Sequence, residues 1–255
     1  MKAKNKNVFS YICFSIVRFF VLLFYPKIKI EGLENLPCEP CIIVGNHTKM
    51  NGPLVSELYL PFDRAIWCAG QMMHLKDVPA YAFEDFWGNK PKKIQWLYKI
   101  VSYFIAPLSV IVFNNAHTIG VYRDNRIMST FKETVTALKE NKNIIIFPEC
   151  ATAHNNIVNE FQQNFIDVAR LYYKRTKKEV CFVPMYIAPT IKKAVIGKPV
   201  RFNAQNENEL ERVRLCEHLM NDITHIALSL PRHIVVPYNN VPKKEYPYSK
   251  DIKED

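Results

Sequence analysis

An apolar run that ends in an Asn-His pair constrains this chain more than any other stretch. Cys41-Ile-Ile-Val-Gly45 contains only apolar or small residues, which is typical of a short strand buried on both faces. Asn46 and His47 follow directly, and Gly52-Pro53 closes the polar turn behind them. Open α/β sheets bind their ligands at such strand ends. His47 is therefore the first candidate catalytic residue, although a structural histidine produces the same pattern.

Strand-like apolar runs alternate with amphipathic segments along the rest of the chain. Helical signals include Thr130-Phe-Lys-Glu133, which has the spacing of a capping box, and a long apolar stripe that opens at Asn208. This alternation predicts an α/β fold: a single layered domain with a mixed, largely buried central sheet flanked by helices. The further predicted strands are Arg64–Cys68, Ile119–Tyr122, Ile144–Phe147 and Val180–Ile187.

The N-terminal segment, residues 1–26, is predicted to associate with a membrane. Three lysines precede an apolar run from Val8 to Tyr25 that only Arg18 interrupts. An arginine at mid-bilayer is costly, which favours a helix lying in the interface over a true span. A second apolar run, Ile94–Phe113, fits either a core helix or another membrane-facing element. We expect one folded domain to occupy residues 27–236 and a poorly ordered tail to occupy 237–255.

The formal charge of +10 over 255 residues predicts an anionic partner. No recognition helix or zinc-finger spacing accompanies the scattered lysines, so we expect an anionic membrane surface and no nucleic acid. The seven cysteines lack the spacing of a secreted protein, which predicts reduced thiols on the cytoplasmic face. Cys38 and Cys41 form a lone CxxC without a second ligand pair, and no metal site is expected.

Four short blocks, from Asn46-His47 to Val183-Pro-Met185, resemble in sequence and order those of the glycerolipid acyltransferases. These are the enzymes that acylate glycerol-3-phosphate and lysophosphatidate. The resemblance runs from about Pro40 to Lys198. It departs from the family pattern at Gly52, where the family has Asp, and at Cys150-Ala-Thr152, where it has Gly-Thr-Arg. The matching blocks are Asn46-His47, Ile119 to Arg123, Phe147-Pro-Glu149 and Val183-Pro-Met185.

The resemblance implies that His47 acts as general base on an acceptor hydroxyl that attacks a thioester carbonyl. The family's Asp holds the imidazole in this reaction, and Gly52 supplies no such group. Asn51 is the nearest candidate to orient His47, with Glu57 and Asp63 as more distant ones. On the same reasoning, restoring a carboxylate at position 52 is expected to raise activity.

The remaining candidate residues are assigned by the same resemblance. Asn46, Arg123, Glu149 and Cys150 are predicted to bind substrate, with the Arg123 guanidinium on a phosphate. Arg123 also fits a surface ion pair with Asp124, and Glu149 fits a role in holding loop backbone. A Cys150 thiol beside His47 would instead give a Cys-His hydrolase.

The sequence thus predicts a membrane-associated enzyme without a cofactor. It would transfer a fatty acyl group from acyl-CoA or acyl carrier protein to a hydroxyl of a glycerolipid or lysophospholipid. A catalytically weak or inactive relative that binds lipid is the alternative, because Gly52 replaces the family's Asp. A Cys-His thioesterase is the second alternative.

Overall fold

The computed structural model describes residues 8–88 and 90–251. Their helices and strands alternate along most of the chain. The helices are α1 (Val8–Phe24), α2 (Asn51–Tyr59), α3 (Val78–Ala82), α4 (Lys92–Asn115), α5 (Ile127–Lys139), α6 (Asp167–Thr176) and α7 (Asn208–Ser229). The strands are β1 (Lys29–Glu31), β2 (Ile42–Gly45), β3 (Arg64–Ala69), β4 (Thr118–Val121), β5 (Asn143–Ile146), β6 (Glu149–Ala153), β7 (Asn159–Phe161), β8 (Cys181–Ala188), β9 (Lys193–Ile196) and β10 (Val200–Arg201).

The described residues form two compact units. The first combines residues 8–25 with Trp67–Thr130, and the second combines Pro26–Ile66 with residues 131–251. The sequence predicts one domain over residues 27–236, whereas residues 67–130 group with the N-terminal helix instead. The physical reason is that α1 packs on α4. The apolar runs of these two helices do not indicate in the sequence that the helices pack on each other.

The sheet of the second unit is mixed, which confirms the predicted fold class. Its strands follow the order β1-β9-β8-β2-β5-β3, with β10 beside β8. Strand β2 is parallel to both β5 and β8, whereas β8 and β9 are antiparallel. Helix α7 packs on β8 and flanks the sheet. Strands β6 and β7 form a separate antiparallel ribbon.

Strand β2 lies in the interior of the sheet because its residues are all apolar or small. All four residues are buried, and its isoleucines and valine lie in register with Ile144–Ile146 of β5. β-Branched side chains pack well on such a pleated surface. On the other side, Val44 lies opposite Pro184 of β8, so the first, third and fourth sequence blocks come from neighbouring strands.

The first unit contains the two long apolar helices. The Asn115 side chain donates a 2.7 Å hydrogen bond to the Ser10 hydroxyl and joins α4 to α1. Both helices expose large apolar side chains, including Phe19, Leu23 and Phe104. Among the described residues, α4 is the one helix whose length and composition would allow it to cross a membrane. The Ile94–Phe113 run is therefore a largely exposed helix and not a core helix.

Strand β4 of the first unit is hydrogen-bonded to β3, whose residues 67–69 belong to this unit. Helix α5 begins at Ile127, three residues before the predicted capping box. The Thr130 hydroxyl donates to the carbonyl of Gly120 at 2.7 Å and does not cap the helix. The capping prediction is therefore wrong, because a tertiary partner takes the hydroxyl.

Residues 237–251, for which the sequence predicts a poorly ordered tail, are hydrogen-bonded to the second unit. The Val235 amide donates to the Pro247 carbonyl at 2.8 Å, and the Ser249 amide donates to the His233 carbonyl at 2.9 Å. Ser249 is buried. Polar and proline-rich composition suggests disorder, but these backbone bonds fix the segment, which we call the C-terminal strap (residues 233–251).

Candidate active site

The Asn46 side chain continues the sheet one residue beyond β2. Its Oδ1 accepts the Ile187 amide at 2.7 Å, and its Nδ2 donates to the Ile187 carbonyl at 3.1 Å. This pair mimics a backbone ladder and uses both polar atoms of the buried amide. Asn46 was predicted to bind substrate, but these contacts give it the role of fixing where the chain leaves the sheet.

Glu149 joins the turn that carries His47 to the β6–β7 ribbon. One carboxylate oxygen accepts the His47 backbone amide at 2.5 Å, and the other accepts the Asn159 amide at 2.9 Å. Burial raises the pKa of Glu149 to about 7, against the two amide bonds, which favour the charged form. Of the two roles considered for Glu149, the contacts support holding loop backbone.

The backbone turns sharply after His47 at two residues that are not glycine. Thr48 and Lys49 have φ angles of 45° and 57°, in the left-handed region that costs a β-branched residue most. The Gly52 amide donates to the His47 carbonyl at 3.0 Å and the Asn51 amide to the Thr48 carbonyl at 3.1 Å. These bonds, together with Glu149, hold the strained turn in place.

Two aromatic rings lie edge-on to the His47 imidazole. The Phe147 centroid is 5.5 Å away with the planes at 71°, and the Tyr238 centroid is 5.8 Å away with the planes at 88°. The Nδ1 atom is buried and has no hydrogen-bond partner among the described residues. Burial lowers the pKa of His47, and the backbone of Lys49 opposes this in part. The lowered pKa favours the neutral imidazole, which is the form that can accept a proton.

Position 52 has no room for the carboxylate that the family carries there. A Cβ atom on Gly52 would lie 2.6 Å from the His47 carbonyl oxygen and 2.8 Å from the Phe147 ring. Phe147 therefore occupies the space beside the imidazole that an acidic side chain would need. The expectation that Gly52→Asp would raise activity is opposed by this geometry.

None of the three other groups considered for orienting His47 hydrogen-bonds Nδ1 in the described part of the chain. The Asn51 side chain donates to the Thr48 carbonyl at 2.8 Å, so it stabilises the turn and makes no hydrogen bond to Nδ1. Glu57 lies 4.0 Å from Arg64 in an ion pair. The Asp63 carbonyl accepts the Asn143 amide at 3.0 Å. Asn51 therefore acts on the backbone of the turn and not on the ring.

Cys150 and Arg123 are the remaining predicted site residues. The Cys150 carbonyl accepts the Asn159 side chain at 2.6 Å, and no hydrogen bond in the described part of the chain joins its thiol to His47. Arg123 is an exposed residue of the first unit that lowers the pKa of Asp85, although burial raises that pKa overall. Asp124 forms its ion pair with Arg126 at 2.8 Å. The alternative of an Arg123–Asp124 pair is therefore wrong.

Three features of the site escaped the sequence patterns. Tyr238 lies in a stretch without a motif. Phe147 belongs to the third block, but nothing in that block predicts its contact with His47. The strained Thr48-Lys49 turn has no glycine to signal it. Their proximity to the imidazole becomes visible only in the three-dimensional structure.

The site thus combines the buried Asn46 side chain, the half-buried His47 and the Phe147-Pro-Glu149 loop that follows β5. The acyltransferase family model matches residues 27–188. Because this match spans well over half of the chain, the chain belongs to the acyltransferase family and is an acyltransferase. The match confirms the family relationship that the four blocks predict.

The chain is similar to a solved structure over most of its length. That structure is the 1-acyl-sn-glycerophosphate (LPA) acyltransferase PlsC from Thermotoga maritima, at 16% identity and a TM-score of 0.43, with 89% of this chain and 84% of that chain covered. A likeness at this level says nothing about substrate. No curated protein is detectably similar to the chain in sequence.

We predict that Glu149→Ala destabilises the protein more than Glu149→Gln. Alanine leaves two backbone amides without an acceptor, at a cost of roughly 1–3 kcal/mol each, whereas glutamine keeps one acceptor oxygen. Urea unfolding at pH 7 measures the difference. Equal stability of the wild-type protein and the alanine variant would contradict the role of Glu149 as a brace.

We predict that Gly52→Asp lowers both activity and thermal stability. Gly52→Ala is the matched control, because it introduces the same Cβ contacts without a carboxylate. Both variants should lose stability by about 1–3 kcal/mol through overpacking. An aspartate variant that is more active than wild type would show that the space beside His47 is available after all.

Proposed function

We propose that this acyltransferase moves a fatty acyl group from a thioester donor to a hydroxyl of a glycerolipid or lysophospholipid, with His47 as general base. The observation that carries the proposal is the half-buried imidazole of His47, whose Nδ1 atom is buried, whose pKa is lowered by burial and whose backbone amide is held by Glu149. A neutral imidazole accepts the hydroxyl proton as the oxygen attacks the thioester carbonyl. The proton then passes to the departing thiolate, and the acyl oxygen ester is formed.

The donor is proposed to be acyl-CoA or acyl carrier protein, and no cofactor takes part. Arg123 is proposed to bind a phosphate of one of the two substrates, because it is exposed and directly follows β4. A guanidinium fork matches phosphate oxygens in a bidentate manner. The departure at Cys150-Ala-Thr152 removes the family's arginine from the third block, which favours an acceptor other than glycerol-3-phosphate.

The protein is proposed to work at the cytoplasmic face of an anionic membrane. Helices α1 and α4 expose bulky apolar side chains to solvent, and Lys92 and Lys93 at the start of α4 are exposed beside them. Apolar insertion together with basic residues near the headgroups is how interfacial helices bind. The charge of +10 supports an anionic surface.

One observation favours a second candidate, a lipid-binding relative with weak or no turnover. The His47 Nδ1 atom has no acceptor among the described residues, and in the related protease triad the loss of the correct acceptor reduces kcat by about 10⁴. The Cys-His hydrolase receives no comparable support, since no hydrogen bond links Cys150 to His47 in the part of the chain that the structure describes.

We predict that His47→Ala lowers acyl transfer by roughly 10²–10⁴-fold. The assay uses purified protein in detergent, labelled acyl-CoA, and a panel of glycerol phosphates and lysophospholipids. Cys150→Ser is the matched control and should retain activity within about twofold, because its thiol is not expected to react. Full activity in His47→Ala would contradict the proposal, and loss in Cys150→Ser would favour the hydrolase. A wild-type protein that binds lysophospholipid without turnover would favour the second candidate.

We predict that Phe19→Glu with Leu23→Glu releases the protein from vesicles that contain phosphatidylglycerol. Both side chains are exposed, at 62% and 63%, so folding should be preserved. Each large apolar side chain contributes about 1.5–3 kcal/mol when it leaves water, so co-flotation should fall at least tenfold. Leu210→Glu, at an equally exposed leucine of α7 in the second unit, is the control and should not change binding. Unchanged flotation of the double variant would contradict insertion of α1.

A further inference from the structure

The C-terminal strap places a tyrosine against the catalytic imidazole. Tyr238 and Phe147 both meet His47 edge-on, with centroid distances of 5.8 Å and 5.5 Å. Aromatic pairs at these separations favour such angled arrangements. Phe147 comes from the third sequence block, whereas Tyr238 lies in a segment outside the region that the family model matches.

The base of the strap is fixed by a buried polar network. The Nε2 atom of His233 hydrogen-bonds the Tyr186 hydroxyl of β8 at 2.8 Å, and its Nδ1 atom lies 3.2 Å from the Ser249 hydroxyl. All three residues are buried. Buried networks whose members are all satisfied rigidify the segments they join. The two ends of the strap are therefore tied to the central sheet.

The middle of the strap is tied to the site itself. The Asn239 side chain donates to the Ala151 carbonyl of β6 at 3.0 Å. Lys49, in the strained turn, donates to the Tyr246 hydroxyl at 2.7 Å and lies over its ring at 5.1 Å. Tyr238 is thus held between anchored neighbours, and its ring position follows from the fold of the strap.

We propose that Tyr238 is a positioning residue that, with Phe147, sets the ring plane of His47 in place of the carboxylate that Gly52 cannot provide. The inference rests on the proposed role of His47 as base. A hydrogen bond to Nδ1 normally fixes the orientation of a catalytic imidazole, and no such bond exists here among the described residues. Packing against two ring edges restricts the same rotation by steric contact.

Removal of the Tyr238 ring would increase the access of water to the half-buried imidazole. The titratable groups of the surrounding elements are Glu149, which binds the His47 amide, Lys49 with its partner Tyr246, and Tyr238 itself. Burial lowers the pKa of His47, and a hydrogen bond to the Lys49 backbone raises it in part. Hydration favours the charged imidazolium, so the acidic limb of the pH–rate profile should move to higher pH when the ring is lost.

The test compares Tyr238→Ala, Tyr238→Phe and Asn239→Ala in the acyl-transfer assay. Tyr238→Ala should lower kcat by roughly tenfold, with less change in KM for the donor, and should shift the acidic limb upward. Tyr238→Phe keeps the ring and should match wild type within about twofold. Asn239→Ala loosens the anchor next to Tyr238 without removing the ring, so it should shift the acidic limb in the same direction but by less than Tyr238→Ala. An unshifted limb in Tyr238→Ala, or an equal loss in Tyr238→Phe, overturns the inference.

A second readout does not depend on catalysis. Protein labelled with [¹³Cε1]histidine gives a His47 resonance, assigned by its absence in His47→Gln. Its chemical shift and titration midpoint should change in Tyr238→Ala and stay at the wild-type values in Tyr238→Phe. If Tyr238→Ala fails to fold, Tyr238→Leu supplies bulk without a ring and should show the same displaced resonance. If the wild-type protein is inactive but the His47 resonance shifts as expected in Tyr238→Ala, only the proposed function is contradicted. If the resonance in Tyr238→Ala stays at the wild-type value, the positioning role is contradicted.

Discussion

The two hydrogen bonds accepted by the Glu149 carboxylate are the interaction on which the site depends. They join the His47 turn to the β6–β7 ribbon through backbone amides of His47 and Asn159. A turn with two left-handed residues that are not glycine persists only where its surroundings determine it fully. Asn46, pinned to the Ile187 backbone, fixes the other end of the same short segment. The position of the imidazole is thus set mainly through the main chain.

This arrangement separates two tasks that a catalytic carboxylate usually performs together. Glu149 fixes where the imidazole is, and the ring edges of Phe147 and Tyr238 restrict how it is turned. Burial keeps the imidazole neutral, which suits a base. However, no carboxylate accepts a hydrogen bond from Nδ1 among the described residues. We therefore expect slower turnover than in relatives that carry this carboxylate, and the Phe147 ring leaves no space to restore it in this chain.

The sequence predicts the parts of this structure that local pattern determines. The apolar run of β2, rich in β-branched residues, is stable only in the interior of a sheet. The order of the blocks indicates that His47 and Glu149 belong to the same site. The role of Glu149 was not predictable in detail, because its partners are backbone amides without a sequence signature. Gly52 indicates a missing acid, but only the contact with Phe147 shows that the space is filled. Tyr238 belongs to a polar stretch whose order comes from tertiary bonds at His233 and Ser249.

The measurement that tests the central claim most directly is hydrogen exchange of individual amides in the wild-type protein. The His47 and Asn159 amides both donate to Glu149, and the Gly52 amide donates to His47. If Glu149 holds the turn, all three amides exchange slowly and are released together, as one cooperative unit. Exchange of the His47 amide at the rate of an unprotected peptide, while the Ile43 amide of β2 stays protected, would contradict the account.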